Sequence, residues 1–173
     1  MGGKVTCTLG EVKNRADFII YWGGNPAECH PRHFTKYTLT QKGKFVPEGR
    51  KGRTMVLVDI RETMSAKAAD IFLQIRPGKD FEVVTTLRAL VKNQPVDRER
   101  VAESGLTVEQ LQDIVDRMNA LIVKSMENAK VRQFMASEGL DPIGSSPEEL
   151  AAQVRSEIAK YAGVIRLANI KLQ

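Results

Sequence analysis

The stretch Arg15-Ala16-Asp17-Phe18-Ile19-Ile20-Tyr21-Trp22-Gly23-Gly24-Asn25-Pro26 decides the fold class of this chain. Its apolar run is continuous, begins after a charged residue and stops at paired glycines. A run of this length, ended in this way, predicts a strand buried on both faces of a parallel sheet. Two more strands are visible downstream, at residues 54–58 closing at Asp59, and at residues 71–75 closed by Arg76-Pro77-Gly78. Between the first two, residues 27–37 read as partly helical, with Pro31 breaking or kinking the helix. Residues 41–53 are glycine-rich and basic and read as a solvated loop. After Gly78 the period changes to that of a helix. Phe81, Val84, Leu87 or Arg88, and Val91 share one face, and Asp80 stands where a carboxylate favours a helix start. Strand, crossover, strand, short crossover, strand and helix make an α/β fold, with a small, open, mostly parallel sheet of about three strands.

From Pro95 onward no strand pattern recurs, so the expected division is an α/β layer over residues 1–94 and a helical segment over residues 95–173 that packs on it. Thr107-Val108-Glu109-Gln110 fits a capping box. Val108, Leu111, Val115, Met118, Ile122 and Met126 then mark an amphipathic helix of about five turns. A short helix over residues 131–137 ends at Gly139. Ser146-Pro147-Glu148-Glu149 is a second capping box with proline in the first turn. Its helix carries Leu150, Val154, Ile158, Tyr161 and Ile165 on one stripe. A sheet this small leaves apolar surface uncovered, and the helical third is expected to cover it.

Composition narrows the function classes. The 173 residues are 42% hydrophobic and 27% charged, a globular balance that excludes a disordered chain. No apolar run nears the ~20 residues of a membrane span. The start, MGGKVTCTLGEV, lacks the charged-then-apolar order of a secretory leader, so a cytoplasmic location is expected. Cys7 and Cys29 are too few for a disulfide framework or a four-ligand metal site. Cys29 with His30 and His33 also falls short of a closed zinc site, and Pro31 disturbs their spacing. The net charge of +5 lies wholly within residues 1–60, which hold ten Lys/Arg against five Asp/Glu. That basic excess could attract nucleic acid, but aromatics are few and no helix-turn-helix pattern accompanies it, so nucleic-acid binding is disfavoured.

Three signals in combination carry a family resemblance: a strand ending WGGNP, a second ending VDIRET, and then ADIFLQIRPGKD. With CTLGEVKNRADFIIYWGGNPAECHPRH they resemble a subunit of the tungsten- and molybdenum-dependent formylmethanofuran dehydrogenases, within the molybdopterin oxidoreductase superfamily. The match runs to about Arg117. The resemblance implies a dinucleotide-binding-like layer that holds the guanine-nucleotide arm of a molybdopterin guanine dinucleotide at its strand ends. That cofactor is implied by the resemblance alone. Gly23, Gly24 and Asn25 would let backbone amides approach a phosphate. Asp59 would accept hydrogen bonds from a ribose or a guanine edge. Arg61 would neutralise phosphate, and Arg76, Gly78 and Asp80 would form the turn facing the base. The family's metal-ligating cysteine or selenocysteine lies upstream of the matched stretch, and Cys7 is not at a ligand position. No metal ligand is therefore assigned, and His30 and His33 remain candidates for a phosphate contact only.

The last third resembles something else. From about Met118, a helix, a G-x-x-P-x-G-S-S-P-E-E turn and a final helix ending A-x-x-A-x-I-K look like the C-terminal end of tripartite tricarboxylate transporter substrate-binding proteins of the Bug type. The ligand-contacting loops of such receptors come from parts with no counterpart here, so solute capture does not carry over. The two resemblances meet near residues 115–119, inside one amphipathic helix, and the chain reads as a mosaic. The expected function is a non-catalytic binding module for a guanine-nucleotide or pterin-dinucleotide phosphate group. The alternative is a protein–protein interaction protein, inhibitor-, antitoxin- or subunit-like, whose partner is another protein. An enzyme comes last, because no nucleophile with a base, no carboxylate pair and no metal-ligand set is recognisable, and no catalytic residue is assigned.

Overall fold

The computed structural model describes residues 6–168. In chain order the elements are α1 (Leu9–Arg15), β1 (Phe18–Trp22), α2 (Pro26–Cys29), α3 (Pro31–His33), a π-helical turn at Phe34–Thr38 and a 3-10 turn at Gly49–Gly52. Then come β2 (Thr54–Asp59), α4 (Met64–Ala68), β3 (Ile71–Gln74), α5 (Asp80–Val91), α6 (Arg98–Glu103), α7 (Val108–Met126), α8 (Ala129–Ser137) and α9 (Pro147–Leu167). This is an α/β fold with a three-stranded parallel sheet and a helical C-terminal region. The reading of the chain's start touches residues 1–5, and the A-x-x-A-x-I-K ending runs into residues 169–173. Both lie outside the described residues. The chain divides into two units: one runs to Asp80 and takes back Ser104–Leu106, and the other holds Phe81–Glu103 and the chain from Thr107 onward.

In the first unit the strand order is β1-β2-β3, with β2 in the centre. Phe18 pairs with Thr54 and Trp22 with Val58, while Val56 pairs with Ile71 and Asp59 with Gln74. Both neighbours satisfy the ladder of β2, and Met55, Val56, Leu57 and Val58 are buried. The expectation that β1 is buried on both faces is corrected here. β1 is an edge strand, and Ile20 and Trp22 remain 39% and 36% exposed. An all-apolar run marks a strand, but its rank in the sheet follows from pairing that sequence alone does not display.

One face of the sheet carries the core. Met55 and Leu57 cluster with Phe34, Leu39 and Ala66, and Tyr21 and Phe72 pack against them partly buried. Each large side chain buried there contributes roughly 1.5–3 kcal/mol of transfer free energy. Pro31 breaks the helical stretch as expected: α2 ends at Cys29, and α3 restarts with the proline in its first turn. The π-helical turn then brings Thr38 under the sheet. The Tyr21 hydroxyl donates to Thr38 Oγ1 at 2.6 Å and lies 3.1 Å from His33 Nδ1. Burial raises the pKa of that hydroxyl, and the bond to Thr38 opposes the rise.

The basic segment over residues 41–53 is not simply a solvated loop. Arg53 is buried, and its guanidinium donates to the carbonyl oxygens of Lys13, Ala16, Leu39 and Gln41. Arg50 reaches the carbonyls of Arg53 and Ala68 and pairs with Asp70 at 2.8 Å. Gly43 lies so close to the Lys13 carbonyl that a Cβ at that position would collide with backbone. Two positive charges thus fasten the segment to the sheet instead of facing water.

The second unit is helical. α5 buries Val83 and Thr86, whereas Phe81, Val84 and Val91 are exposed. The face that Phe81, Val84 and Val91 share is therefore the open one. Apolar residues occur on two overlapping faces of this helix, and periodicity alone does not choose between them. α7 begins with the expected capping box at Thr107 and Gln110. It buries Leu111, Ile114 and Val115, but Met118 and Ile122 further along are exposed. α8 closes at Gly139 (φ +72°), where the amide of Leu140 reaches the Met135 carbonyl and that of Gly139 the Ala136 carbonyl, a Schellman closure. α9 starts at the Ser146 capping box with Pro147 in its first turn. Its stripe of Leu150, Val154, Ile158, Tyr161 and Ile165 is exposed throughout.

Candidate functional site

Parallel strands send all their carboxyl ends to one edge of a sheet, and that edge is where open α/β folds bind ligands. Here it is formed by the turn after β1 (Gly23, Gly24, Asn25), the loop after β2 (Asp59 to Thr63) and the turn after β3 (Arg76 to Asp80). All eight residues singled out from sequence, Gly23, Gly24, Asn25, Asp59, Arg61, Arg76, Gly78 and Asp80, lie on these three segments.

The turn after β1 opens with Gly23 at φ +62°, whose amide still donates to Val58 O at 2.8 Å. A Cβ added at Gly23 or Gly24 would meet nothing within 4 Å, so the backbone faces open space. Asn25 is less available than its sequence position suggests. Its Oδ1 accepts from Ser65 Oγ at 2.7 Å, and its Nδ2 donates to Glu28. Ser65 is buried and also accepts from the Ala27 amide at 3.0 Å, which ties this turn to α4. Sequence reasoning missed Ser65, because a serine one position inside a short helix carries no distinguishing pattern.

After β2, Asp59 Oδ1 accepts from the amide of Ile60 at 2.7 Å, which leaves its second oxygen for another donor. Arg61 is exposed and, among the described residues, makes no hydrogen bond or ion pair. It borders a shallow depression of about 280 Å³, lined also by Glu28, Glu62, Thr63, Met64 and Lys67. Thr63 caps α4 by accepting from the Ala66 amide.

After β3, Arg76-Pro77-Gly78-Lys79 forms a turn closed by the Lys79 amide on the Arg76 carbonyl at 3.2 Å. Proline at its second place and Gly78 at φ +76° at its third are what a type II turn requires. The Arg76 amide donates to Ser104 O at 2.8 Å. Asp80 begins α5, and its Oδ1 accepts from Trp22 Nε1 at 2.6 Å. That bond joins the ends of β1 and α5, and it spends one of the carboxylate oxygens assigned from sequence to a ligand. Its aromatic partner was not singled out either, since nothing in spacing connects residues this far apart.

Cys7, Cys29 and His30 are exposed, and His33 is engaged beside Tyr21. Among the described residues no three His, Cys, Asp or Glu side chains converge as a metal site. No helix within them is long and apolar enough to cross a membrane.

No protein-family profile matches the chain. Individual proteins do. The chain is 51% identical over 100 residues, 58% of its length, to a subunit of the tungsten-containing formylmethanofuran dehydrogenase 2 of Methanocaldococcus jannaschii. It is 45% identical over 114 residues, 66% of its length, to the subunit of the same name from Methanococcus maripaludis. A more distant similarity, 33% over 100 residues, links it to the nitrate-inducible formate dehydrogenase major subunit of Escherichia coli. The chain spans about a quarter of the length of the two formylmethanofuran dehydrogenase subunits, 23% and 26%. A large part of this chain is thus homologous to a segment of those subunits. The Bug-type resemblance of the last third has no support from these relatives and stands as an expectation.

Proposed function

We propose that the chain is a non-catalytic binding module that takes the phosphate-bearing arm of a guanine nucleotide or pterin dinucleotide at the carboxyl edge of its sheet. The observation that carries this reading is the unfilled space over the Gly23–Gly24 backbone on the same edge as Arg61, a cation with no partner among the described residues. Phosphate binding needs close backbone approach and a cation, and these residues offer both. Asp59 adds a free carboxylate oxygen suited to ribose hydroxyls or the guanine edge.

The fit to a molybdopterin guanine dinucleotide is limited to that arm. Gly24, Asp59 and Arg61 would hold it, and Gly23, whose amide is donated to Val58 O, leaves room for the phosphate to approach. Asn25 and Asp80 are spent on Ser65, Glu28 and Trp22 and act as supports of the rim. When bound in a complete enzyme, such a cofactor supplies a redox-active metal. This chain's residues contribute binding and orientation only. The reading places the protein in the cytoplasm, where guanine nucleotides are abundant.

Titration calorimetry with GMP and GDP tests the reading. Binding that weakens about 10-fold or more in Arg61→Ala and in Asp59→Ala supports it, as expected for the loss of one charge-assisted hydrogen bond. Absence of heat at millimolar nucleotide overturns it. A second reading, a protein-interaction role, is favoured by the exposed apolar stripe of α9. Copurification of a second polypeptide that is lost in Ile158→Glu, with no nucleotide binding, would select that alternative.

A further inference from the structure

His33 ends α3, and its ring belongs to a small polar circuit beside β1. The Tyr21 hydroxyl donates to Thr38 Oγ1 at 2.6 Å and lies 3.1 Å from His33 Nδ1, while Thr38 Oγ1 donates to the His33 carbonyl at 3.1 Å. The protons can be counted. Burial keeps the Tyr21 phenol in its protonated form, and its single proton goes to Thr38, the shorter of its two contacts. The single proton of Thr38 goes to the His33 carbonyl. The contact between the Tyr21 oxygen and Nδ1 is then a hydrogen bond only if Nδ1 carries the proton. The opposite circuit, in which Tyr21 donates to Nδ1 and Thr38 to Tyr21, makes one bond fewer, because the Thr38 proton no longer reaches the carbonyl.

The backbone supports the same arrangement. Thr38 is 2% exposed and closes the π-helical turn Phe34–Thr38, in which the Leu39 amide reaches the Phe34 carbonyl at 3.1 Å. Such turns recur at functional sites, and this one carries Thr38 back to Tyr21. Phenylalanine and valine would fill the same space beside Phe34 and Leu39 without hydroxyls that need partners, so packing alone does not call for Tyr21 and Thr38. The titratable rings against His33 are those of Tyr21 and Tyr37, with centroids 6.3 and 6.4 Å away. Among the described residues no charged group pairs with the imidazole and nothing bonds its Nε2, although the side chain is only partly buried.

We propose that Tyr21 and Thr38 hold His33 in its Nδ1–H tautomer, which makes Nε2 a positioned proton-accepting site for the O–H or N–H group of a bound molecule. The hydrogen bond at one ring nitrogen sets the role of the other. A neutral ring held in this way has no N–H to offer outward, so His33 drops out as a phosphate contact. A second proton adds at Nε2 and leaves the Nδ1–H bond to Tyr21 in place, so the site takes up and releases a proton without disturbing the circuit. The assignment is independent of the nucleotide site, whose Gly24, Asp59 and Arg61 take no part in it.

Long-range 1H–15N spectra of the full chain test it. Two histidines give two imidazoles, and His30→Gln identifies the signals of His33. At about pH 8, above the ordinary histidine value of about 6.5, His33 is expected to show a protonated-type Nδ1 and an unprotonated-type Nε2. On titration to about pH 5 only Nε2 should change type. Tyr21→Phe frees the ring, which then favours Nε2–H as an unrestrained imidazole does. Thr38→Val turns the Tyr21 proton onto Nδ1 and is expected to give Nε2–H as well. A purely structural pocket would leave the tautomer unchanged in both variants. Inorganic phosphate added at about pH 8 should leave the His33 signals in place. A wild-type Nε2–H ring, a tautomer unchanged in both variants, or a phosphate-induced N–H at Nε2 would each overturn the proposal. Should either variant fail to fold, the wild-type tautomer alone still decides it.

Discussion

Arg53 shows how much one side chain organises in this protein. Its guanidinium serves four backbone carbonyls, of Lys13, Ala16, Leu39 and Gln41, which belong to α1, its exit, the end of the π-helical turn and the basic segment. Burial away from water lowers its pKa, though not enough to discharge an arginine under ordinary conditions. Arg53→Met leaves those carbonyls without their donors and is expected to destabilise the chain by about 3 kcal/mol. Arg53→Lys should recover little of this, since an ammonium does not reproduce the planar fork. Urea unfolding midpoints check both. Asp70 offers a pH-dependent counterpart. It accepts from Arg50 and, through Oδ2, from the Met55 amide at 2.7 Å, and the Arg50 hydrogen bond holds its carboxyl below the usual carboxylate range. Its contribution is therefore complete above the unfolded value of about 3.9 and is lost as pH falls through the lower folded value. The stability difference between wild type and Asp70→Asn should accordingly be constant near neutrality and shrink below about pH 4. A difference that instead grows on acidification would contradict this assignment.

Among the elements, the rim of the sheet depends on a link between α4 and the turn after β1. Ser65 joins Asn25 and the Ala27 amide, so the glycine pair is held by a buried hydroxyl on the following crossover. Ser65→Ala should cost about 1–2 kcal/mol in urea unfolding and also weaken nucleotide binding, although Ser65 touches no ligand in the proposed site. A loss of stability with unchanged affinity would confine Ser65 to folding. Helix ends behave as local chemistry demands. Thr8, Thr107 and Ser146 each complete a capping box, and Gly139 takes the left-handed conformation that closes α8. Gly139→Ala should lower stability by about 1 kcal/mol, because alanine carries a steric penalty at that backbone geometry. Loss of helical ellipticity on heating reports it.

For the molecule as a whole, a linkage follows from mass action. A ligand that binds only the folded state raises the melting temperature with its concentration. The proposed nucleotide site predicts a Tm that climbs with GDP concentration in the wild type and climbs less in Arg61→Ala. A Tm that does not move across a hundredfold change in GDP concentration would count against the site.

Local chemistry written in consecutive residues was open to reading from the sequence by itself. The three strands, the break at Pro31, the capping boxes at Thr107 and Ser146, and the closure at Gly139 all follow from short-range sterics and hydrogen bonding. The family resemblance of the first two-thirds was equally legible, since a specific combination of short motifs carries it. The placement of all eight candidate residues on one edge followed as well, because parallel strands carry their exits to the same side. Tertiary structure alone decided which strand lies at the edge, which face of α5 is buried, and that Arg53 is an internal clasp. It also decided that Asn25 and Asp80 are taken up by Ser65, Glu28 and Trp22. These facts depend on groups far apart along the chain that meet only when it folds, and no local period or spacing encodes such a meeting.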